Sequence, residues 1–335
     1  MRILFIGVEG YENIVPGLRR LGHEVQSVDP FDALPALPGQ LSSRWVWKTG
    51  ALGVERLVER YVLACVGSKH FDVAFILRGE LLSSRLIQKL PVARRINFNN
   101  DHPFGSRDGN RWRLFRQALP SYDLFVAPRD VTINAAKANG ARKTVKVFLW
   151  ADEVQHQPID RLSIPTHLRS EVAFVGTWMP ERGPFMLELL KRGVPLKIFG
   201  NHWNKASEYN SIKASLYSGF LSPSDYVKAV SGSRIAVAML SKGNEDEHTR
   251  RSNEIPALGR LLCAELTNEH LSMYQQNEEA VFWSSAEECA GQCLDLLSNP
   301  SKIEEIALRG QERCRRNGYF TEPTLERILH ELEQV

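Results

Sequence analysis

Apolar runs along this chain are short, and most end in a glycine or a polar cluster before the pattern changes to helical spacing. Residues 2–8 form such a run through Gly7, followed by a polar turn with Glu9, Gly10 and Tyr11. Residues 14–21 then place apolar side chains at helical spacing, and Gly22-His23 separates them from a second strand-like run, Glu24–Val28. Strand, loop, helix and strand in that order predict the opening of a doubly wound α/β domain. Residues 30–43, rich in Pro, Leu and Ala, read as an irregular connection. Residues 52–64 carry a helical stripe of Leu52, Leu57, Val58, Tyr61 and Val62. Runs at 72–77, 95–98, 124–127 and 145–149 predict further strands, and 132–139 predicts a helix closed by Gly140.

Residues 150–169 are polar, contain proline and lack periodicity, which places a domain boundary there. The same order of elements then restarts. Strands are predicted at Val172–Val175, Leu196–Phe199, 234–240 and 282–283, with a helix at 185–190. Ser222-Pro223-Ser224-Asp225 is a helix start, with an N-cap, proline at the first position and an acid at the third. Residues 284–287 read as a capping box opening a helix that turns Cys289, Cys293, Leu296 and Leu297 inward. Helices at 303–316 and 325–332 close the chain, separated by Gly318 and Pro323. The expected fold class is α/β, two Rossmann-like doubly wound domains facing a central cleft.

Bulk numbers narrow the function classes. The 335 residues suit two domains, and 43% hydrophobic with 24% charged residues is the composition of a globular chain with sizeable cores. A net charge of +3 from 42 basic and 39 acidic residues argues against nucleic acid as a partner. Five scattered cysteines, Cys65, Cys263, Cys289, Cys293 and Cys314, match no zinc spacing and read as reduced thiols of a cytoplasmic protein. The amino terminus reads as a first strand rather than a signal peptide, and no run approaches the length of a membrane span. Trp45 and Trp47 beside Arg44 and Lys48 suit either peripheral membrane contact or packing against the first domain.

Candidate chemistry gathers at predicted strand ends, where ligands of open α/β sheets bind. In the first half these are Arg78-Gly79-Glu80 and the polar span Asn99-Asn100-Asp101-His102, in which Asp101 suits a general base and His102 a phosphate or sugar contact. An Asn/Asp/Pro turn is the competing explanation of that span. In the second half, Gly176 and Thr177 open a turn that Arg182 and Gly183 close, and Gly200-Asn201-His202-Trp203 follows another strand. The turn amides would approach a pyrophosphate, with Arg182 adding charge. A polar loop, 241–247, leads to His248, then Arg250 and Arg251 directly ahead of Glu254, Ile255 and Pro256. A basic loop feeding a helix start favours an anion, and the adjacent carboxylate suits hydroxyls. A nucleotide sugar has both.

The segments FVGTWMPERG, IFGNHW, HTRRSNEIPALGRLLCAEL and FWSSAEECAGQCLDLLSNP together resemble the nucleotide-sugar-binding half of GT-B glycosyltransferases. The closest likeness is to the spore-maturation (CgeB-like) group, itself similar to the group 1, or family-4, transferases. It covers roughly 171–318; before that only MRILFIG, LGHEV, NFNNDHP and YDLFVAP carry it. The resemblance implies an N-terminal acceptor-side domain over 1–160, a donor domain over 161–318, and a last helix within 319–335 crossing back to the first domain. It implies that Glu254 binds the donor ribose, and that Arg250 or Arg251 neutralises the diphosphate with Gly176, Thr177, Arg182, Gly200, His202, Ile255 and Pro256 around it. Many retaining members carry two acids eight positions apart; here Asp246 stands where the first is usually Glu. An inverting enzyme would need a base from the first domain, for which Asp101 and then Glu9 are the candidates.

The implied reaction moves a sugar from a nucleoside-diphosphate sugar to a hydroxyl-bearing acceptor. Arginines would stabilise the leaving diphosphate, so neither metal nor cofactor is expected beyond the donor itself. Two rivals remain: a non-catalytic nucleotide-sugar-binding protein and a sugar-nucleotide epimerase of the same architecture.

Overall fold

A computed structural model describes residues 1–35, 41–217, 219 and 221–334. The chain forms two compact units. The first comprises Met1–Phe148, Ser241–Asp246 and Thr321–Val335; the second comprises Leu149–Leu240 and Glu247–Phe320. The first unit therefore ends ahead of residue 160. The connecting segment is held by the second unit, where the Leu149 amide donates to His248 Nε2 at 2.9 Å and the buried Asn253 side chain donates to the Leu149 carbonyl.

In the first unit, β1 (Arg2–Ile6), α1 (Ile14–Arg20), β2 (Glu24–Val28), α2 (Leu41–Thr49), α3 (Glu55–Val66), β3 (Phe71–Leu77), α4 (Ser84–Lys89), β4 (Val92–Phe98), α5 (Arg113–Ala118), β5 (Leu124–Ala127), α6 (Asp130–Ala138) and β6 (Thr144–Lys146) follow in order. All neighbours pair in parallel in the order β2-β1-β3-β4-β5-β6, with Ile3 opposite Val73 and Phe75 opposite Ile96. A parallel sheet is covered on both faces, which is why RILFI and FDVAFIL are near-continuous apolar runs instead of alternating ones. The order reverses between β1 and β3, so the carboxyl ends of those strands flank the switch point.

Two short helices, α4 and α5, go beyond the sequence expectation, since each spans only six residues and shows under two turns of periodicity. The stretch expected to be irregular holds a single 3-10 turn at Pro30–Ala33, capped by Asp29, and from Leu41 onward it is α2. Residues 36–40 of that stretch lie outside the described residues.

The second unit runs β7 (Val172–Val175), α7 (Arg182–Lys191), β8 (Leu196–Phe199), α8 (Tyr209–Ile212), α9 (Pro223–Ser231), β9 (Ile235–Ala238), α10 (Arg251–Ala257), β10 (Leu261–Glu265), α11 (Asn268–Met273), β11 (Val281–Trp283), α12 (Ala286–Leu297) and α13 (Pro300–Arg316). Its parallel sheet has the order β11-β10-β9-β7-β8, reversing between β7 and β9. Ser222 caps α9 as its sequence predicts, accepting from the Asp225 amide at 3.1 Å. The cap of α12 lies one residue later than the sequence suggested: Ser285 accepts from the Glu288 amide, and the Glu288 carboxylate reaches back to the Ser284 amide.

The last helix, α14 (Thr321–Glu333), packs on α1 in the first unit. A Cβ at Gly17 would meet Thr321 Cγ2 at 2.5 Å, so only glycine lets the two helices approach this closely. Four of the five cysteines are buried, while Cys65 is exposed. Cys263 on β10 meets Cys289 and Cys293 of α12 in the core, a convergence of three thiols that spacing along the chain does not reveal. Among the described residues no helix is long and apolar enough to cross a membrane.

Candidate functional site

The second unit's switch point is tied by arginines. Arg182 opens α7 and is buried; its Nη1 donates to the Thr177 carbonyl at 2.7 Å and its Nη2 to the Met239 carbonyl at 3.5 Å. Thr177 follows β7 and Met239 follows β9, so one guanidinium joins both strand ends. Arg182, expected to reach a phosphate, holds the loop between these strand ends. Gly176 and Gly200 are set by close approach: Gly200 has φ of +130°, and a Cβ there would lie 2.2 Å from the Gly176 carbonyl oxygen. Trp203 Nε1 donates to that same carbonyl at 3.0 Å. His202 adopts the left-handed conformation and is exposed at the end of β8.

Beside these loops, α10 presents Glu254 at its fourth residue. Only 3% of Glu254 is exposed, and its carboxylate is met by two other segments and by the N-cap residue of its own helix. The Tyr226 hydroxyl, on α9, donates to Oε2. His156 Nε2 lies 3.7 Å from Oε1, and Arg250 Nε lies 3.6 Å from the same oxygen. Because His156 Nδ1 accepts from the Asp152 amide at 2.7 Å, the neutral ring carries its proton on Nε2, facing Glu254. Arg251 donates from Nε to the Val175 carbonyl at 2.6 Å and lies over the Tyr226 ring at 5.6 Å.

Electrostatics follow from this crowding. Burial alone would raise the Glu254 pKa, but Arg250, His156, Arg251 and the Tyr226 hydroxyl outweigh it and keep the carboxyl below its usual range. Burial pushes His156 down, against the pull of Glu254, and pushes the Tyr226 phenol up. The cluster is an ionised carboxylate with a neutral histidine, a neutral tyrosine and two cations. Among the described residues Oε1 is met only at ion-pair distances, so it retains capacity to accept from a hydroxyl.

Ile255 and Pro256, expected around the ligand, are both buried, with Ile255 1% exposed. The helix itself is seven residues long. Tyr226 and His156 were missed by sequence reasoning. Tyr226 sits on a helix predicted from its cap, yet which face turns to Glu254 depends on packing, and His156 lies in an aperiodic connection.

The first unit has its own polar cluster at strand ends. Asp101 follows β4 and is approached by Arg107 Nη2 at 3.3 Å, Arg111 Nη1 at 3.5 Å and Arg78 Nε at 3.7 Å. Arg78 follows β3 with φ of +63°, and its guanidinium covers the Tyr11 ring at 4.3 Å. Arg111 also donates to Glu80 at 2.8 Å and lies between the rings of Trp47 and Trp112, at 4.7 and 4.3 Å. His102 hydrogen bonds through Nδ1 with Thr132 Oγ1 at 2.8 Å, and burial lowers its pKa.

Glu9, in contrast, is exposed and accepts from Arg19 of α1 at 2.6 Å. Asp246 is buried against Arg129, which donates to it from Nε at 2.5 Å while its Nη1 donates to the Asn100 carbonyl at 2.6 Å. That pair anchors the loop Ser241–Asp246 in the first unit, whereas Glu254 belongs to the second. All three candidate acids belong to the first unit, and Arg129 ties Asp246 to the carbonyl of Asn100, next to Asp101.

Over all 335 residues the chain superimposes on sucrose-phosphate synthase from Thermosynechococcus elongatus, with a TM-score of 0.69, 11% identity and 98% of that chain covered. The fold is that of the GT-B glycosyltransferases. Anabaena HepE, solved in complex with UDP-glucose, matches with a TM-score of 0.68 at 12% identity, each chain covered completely. A glycosyltransferase from Rickettsia africae matches with a TM-score of 0.62 at 12% identity, covering 99% of this chain and 98% of that one. A family model described as glycosyl transferase-like matches residues 182–330, a span that includes Tyr226, Arg250, Arg251 and Glu254. No curated protein sequence matches the chain.

Proposed function

We propose that this protein is a metal-independent glycosyltransferase that moves a sugar from a nucleoside-diphosphate sugar to a hydroxyl-bearing acceptor in the cytoplasm. The observation that carries the proposal is the Glu254 cluster: a buried, ionised carboxylate with an under-used oxygen, two arginines beside it, and the close-packed glycine loops of β7 and β8 alongside. The carboxylate suits ribose hydroxyls. Arg250, whose side chain is 41% exposed, suits the diphosphate, while Arg251 divides itself between the Val175 carbonyl and the site. Fixed guanidiniums would stabilise charge growing on the leaving diphosphate, the task a metal performs elsewhere. Kinship with the CgeB-like group rests on the motifs around these residues.

For the acceptor, Asp101 is preferred over Glu9 and Asp246. Its three arginine contacts, at 3.3 to 3.7 Å, are looser than the roughly 2.8 Å of a charge-assisted hydrogen bond, so an acceptor hydroxyl can compete for it. We also assign a peripheral membrane contact to the first unit. Leu41, Trp45, Trp47, Leu52 and Leu57 are all exposed within residues 41–57, and neither Arg44 nor Lys48 is in an ion pair among the described residues. Trp47 lies on Arg111, which in turn contacts Asp101, so a lipid-linked acceptor fits this arrangement.

Calorimetric titration with UDP, GDP and dTDP, followed by product analysis with the matching sugar donor, tests the reading. Glu254→Ala and Arg250→Ala are each expected to weaken binding about tenfold or more, the scale of a lost charge-assisted contact. Free sugar or glycoside should appear with the wild-type protein. Unchanged binding in both variants would remove the site, and an epimerised donor as the sole product would favour an epimerase.

A further inference from the structure

At the opposite edge of the second sheet, the amino-terminal ends of its strands border a cavity of about 450 Å³. Arg234 precedes β9, Arg260 precedes β10, and Arg161 reaches in from the segment before β7; Glu304 is the one acid on the wall. Two of the three cations are paired with a carboxylate. Arg161 and Arg234 share Glu171, at 2.6 Å and 2.8 Å, one on each carboxylate oxygen.

Arg260 is not. Its Nη2 donates to the Ile159 carbonyl at 3.0 Å, its Nε is buried with no hydrogen-bond partner, and no carboxylate among the described residues stands within ion-pair distance. Burial, and then repulsion from Arg161 and Arg234, lowers the Arg260 pKa despite Asp160 and Glu304. A guanidinium on the wall of a pocket large enough for a small molecule, with no carboxylate to balance it, leaves a place for an anion. Apart from Glu304 and Gln311 the rest of the wall is apolar, and Leu162 and Leu308 on it are 75% and 55% exposed.

We propose that this cavity binds a small organic anion, a phosphate ester or a carboxylate, whose charged end pairs with Arg260 and whose carbon skeleton lies against Leu162 and Leu308. It is separate from the Glu254 cluster, which lies at the carboxyl ends of the same sheet. The two are nevertheless linked by α10. The Arg260 amide donates to the Ile255 carbonyl at 3.2 Å and the Gly259 amide to the Pro256 carbonyl at 2.8 Å, so an anion on Arg260 grips the far end of the helix that bears Glu254.

The test is titration of the full-length protein with glucose 6-phosphate and with citrate, at constant ionic strength set by chloride. Binding of one of them is expected to survive Arg251→Ala unchanged and to weaken at least tenfold in Arg260→Gln. The probe that binds tells phosphate esters from carboxylates. Should Arg260→Gln misfold, Leu308→Glu on the wall places a competing carboxylate there and is expected to weaken the same binding. The proposal is overturned if neither probe binds, if Arg251→Ala removes the binding, or if folded Arg260→Gln and Leu308→Glu bind as the wild type does.

Discussion

Single residues in this protein derive their chemistry from partners brought by other segments. His270 illustrates this. It is fully buried, stacks on Phe282 at 5.4 Å and 8°, donates from Nδ1 to the Glu265 carbonyl at 2.6 Å, and accepts at Nε2 from Ser252 at 2.8 Å. Both ring nitrogens are therefore used by a neutral imidazole, and burial pushes the pKa down to about 4. Between about pH 6.5 and pH 4 the unfolded chain binds a proton that the folded chain refuses, so stability falls as pH falls through that window. The shift corresponds to about 3 kcal/mol at most from this group. Urea unfolding at pH 7 and pH 4.5 should show a shallower loss for His270→Gln than for the wild type. Equal slopes would mean that His270 is protonated in the fold.

Among the elements, α2 has the least ordinary surface. Val46 is buried beneath it, while Leu41, Arg44, Trp45 and Lys48 recur at helical spacing on exposed positions. Tryptophan with flanking cations suits the headgroup region of an anionic bilayer, and the helix would lie in that plane instead of crossing it. Co-sedimentation with phosphatidylglycerol vesicles should exceed that with phosphatidylcholine vesicles and fall with salt. Trp45→Glu should weaken it about tenfold, the effect of withdrawing one large apolar side chain. Trp45→Glu binding as the wild type does would assign the patch to another use. The short helices α4, α5 and α8 have ordinary faces whose apolar residues simply cover the sheets.

For the whole molecule, chain order and spatial grouping part company at the C-terminus. Helix α14 belongs to the first unit although the second separates it from the rest, and it buries Leu325, Ile328, Leu329 and Leu332. At about 1.5 to 3 kcal/mol each, these four side chains approach the entire net stability of an average domain, about 5 to 15 kcal/mol. A chain ending at residue 320 is therefore expected to lose the cooperative thermal transition of its first unit and to become protease-sensitive within residues 1–148. An unaltered melting profile would show that α14 is an accessory.

By itself the sequence determined the two parallel sheets, because strands buried on both faces must be written as short unbroken apolar runs, and it marked Glu254 with Arg250 and Arg251, without choosing between the two arginines, because acid and base stand together at a strand-to-helix junction. It also marked the helix starts at Ser222 and, within one residue, at Ser285, because capping is local chemistry. Tertiary structure alone decided which charges meet. It gave Glu254 the Tyr226 hydroxyl and the His156 ring, turned Arg182 onto two carbonyls, buried Ile255 and Pro256, bound Asp246 to Arg129, and left Arg260 facing a cavity with no carboxylate of its own. Each of these depends on contacts between segments far apart in the chain, and hydrophobic spacing carries no record of which polar side chains will share a buried volume.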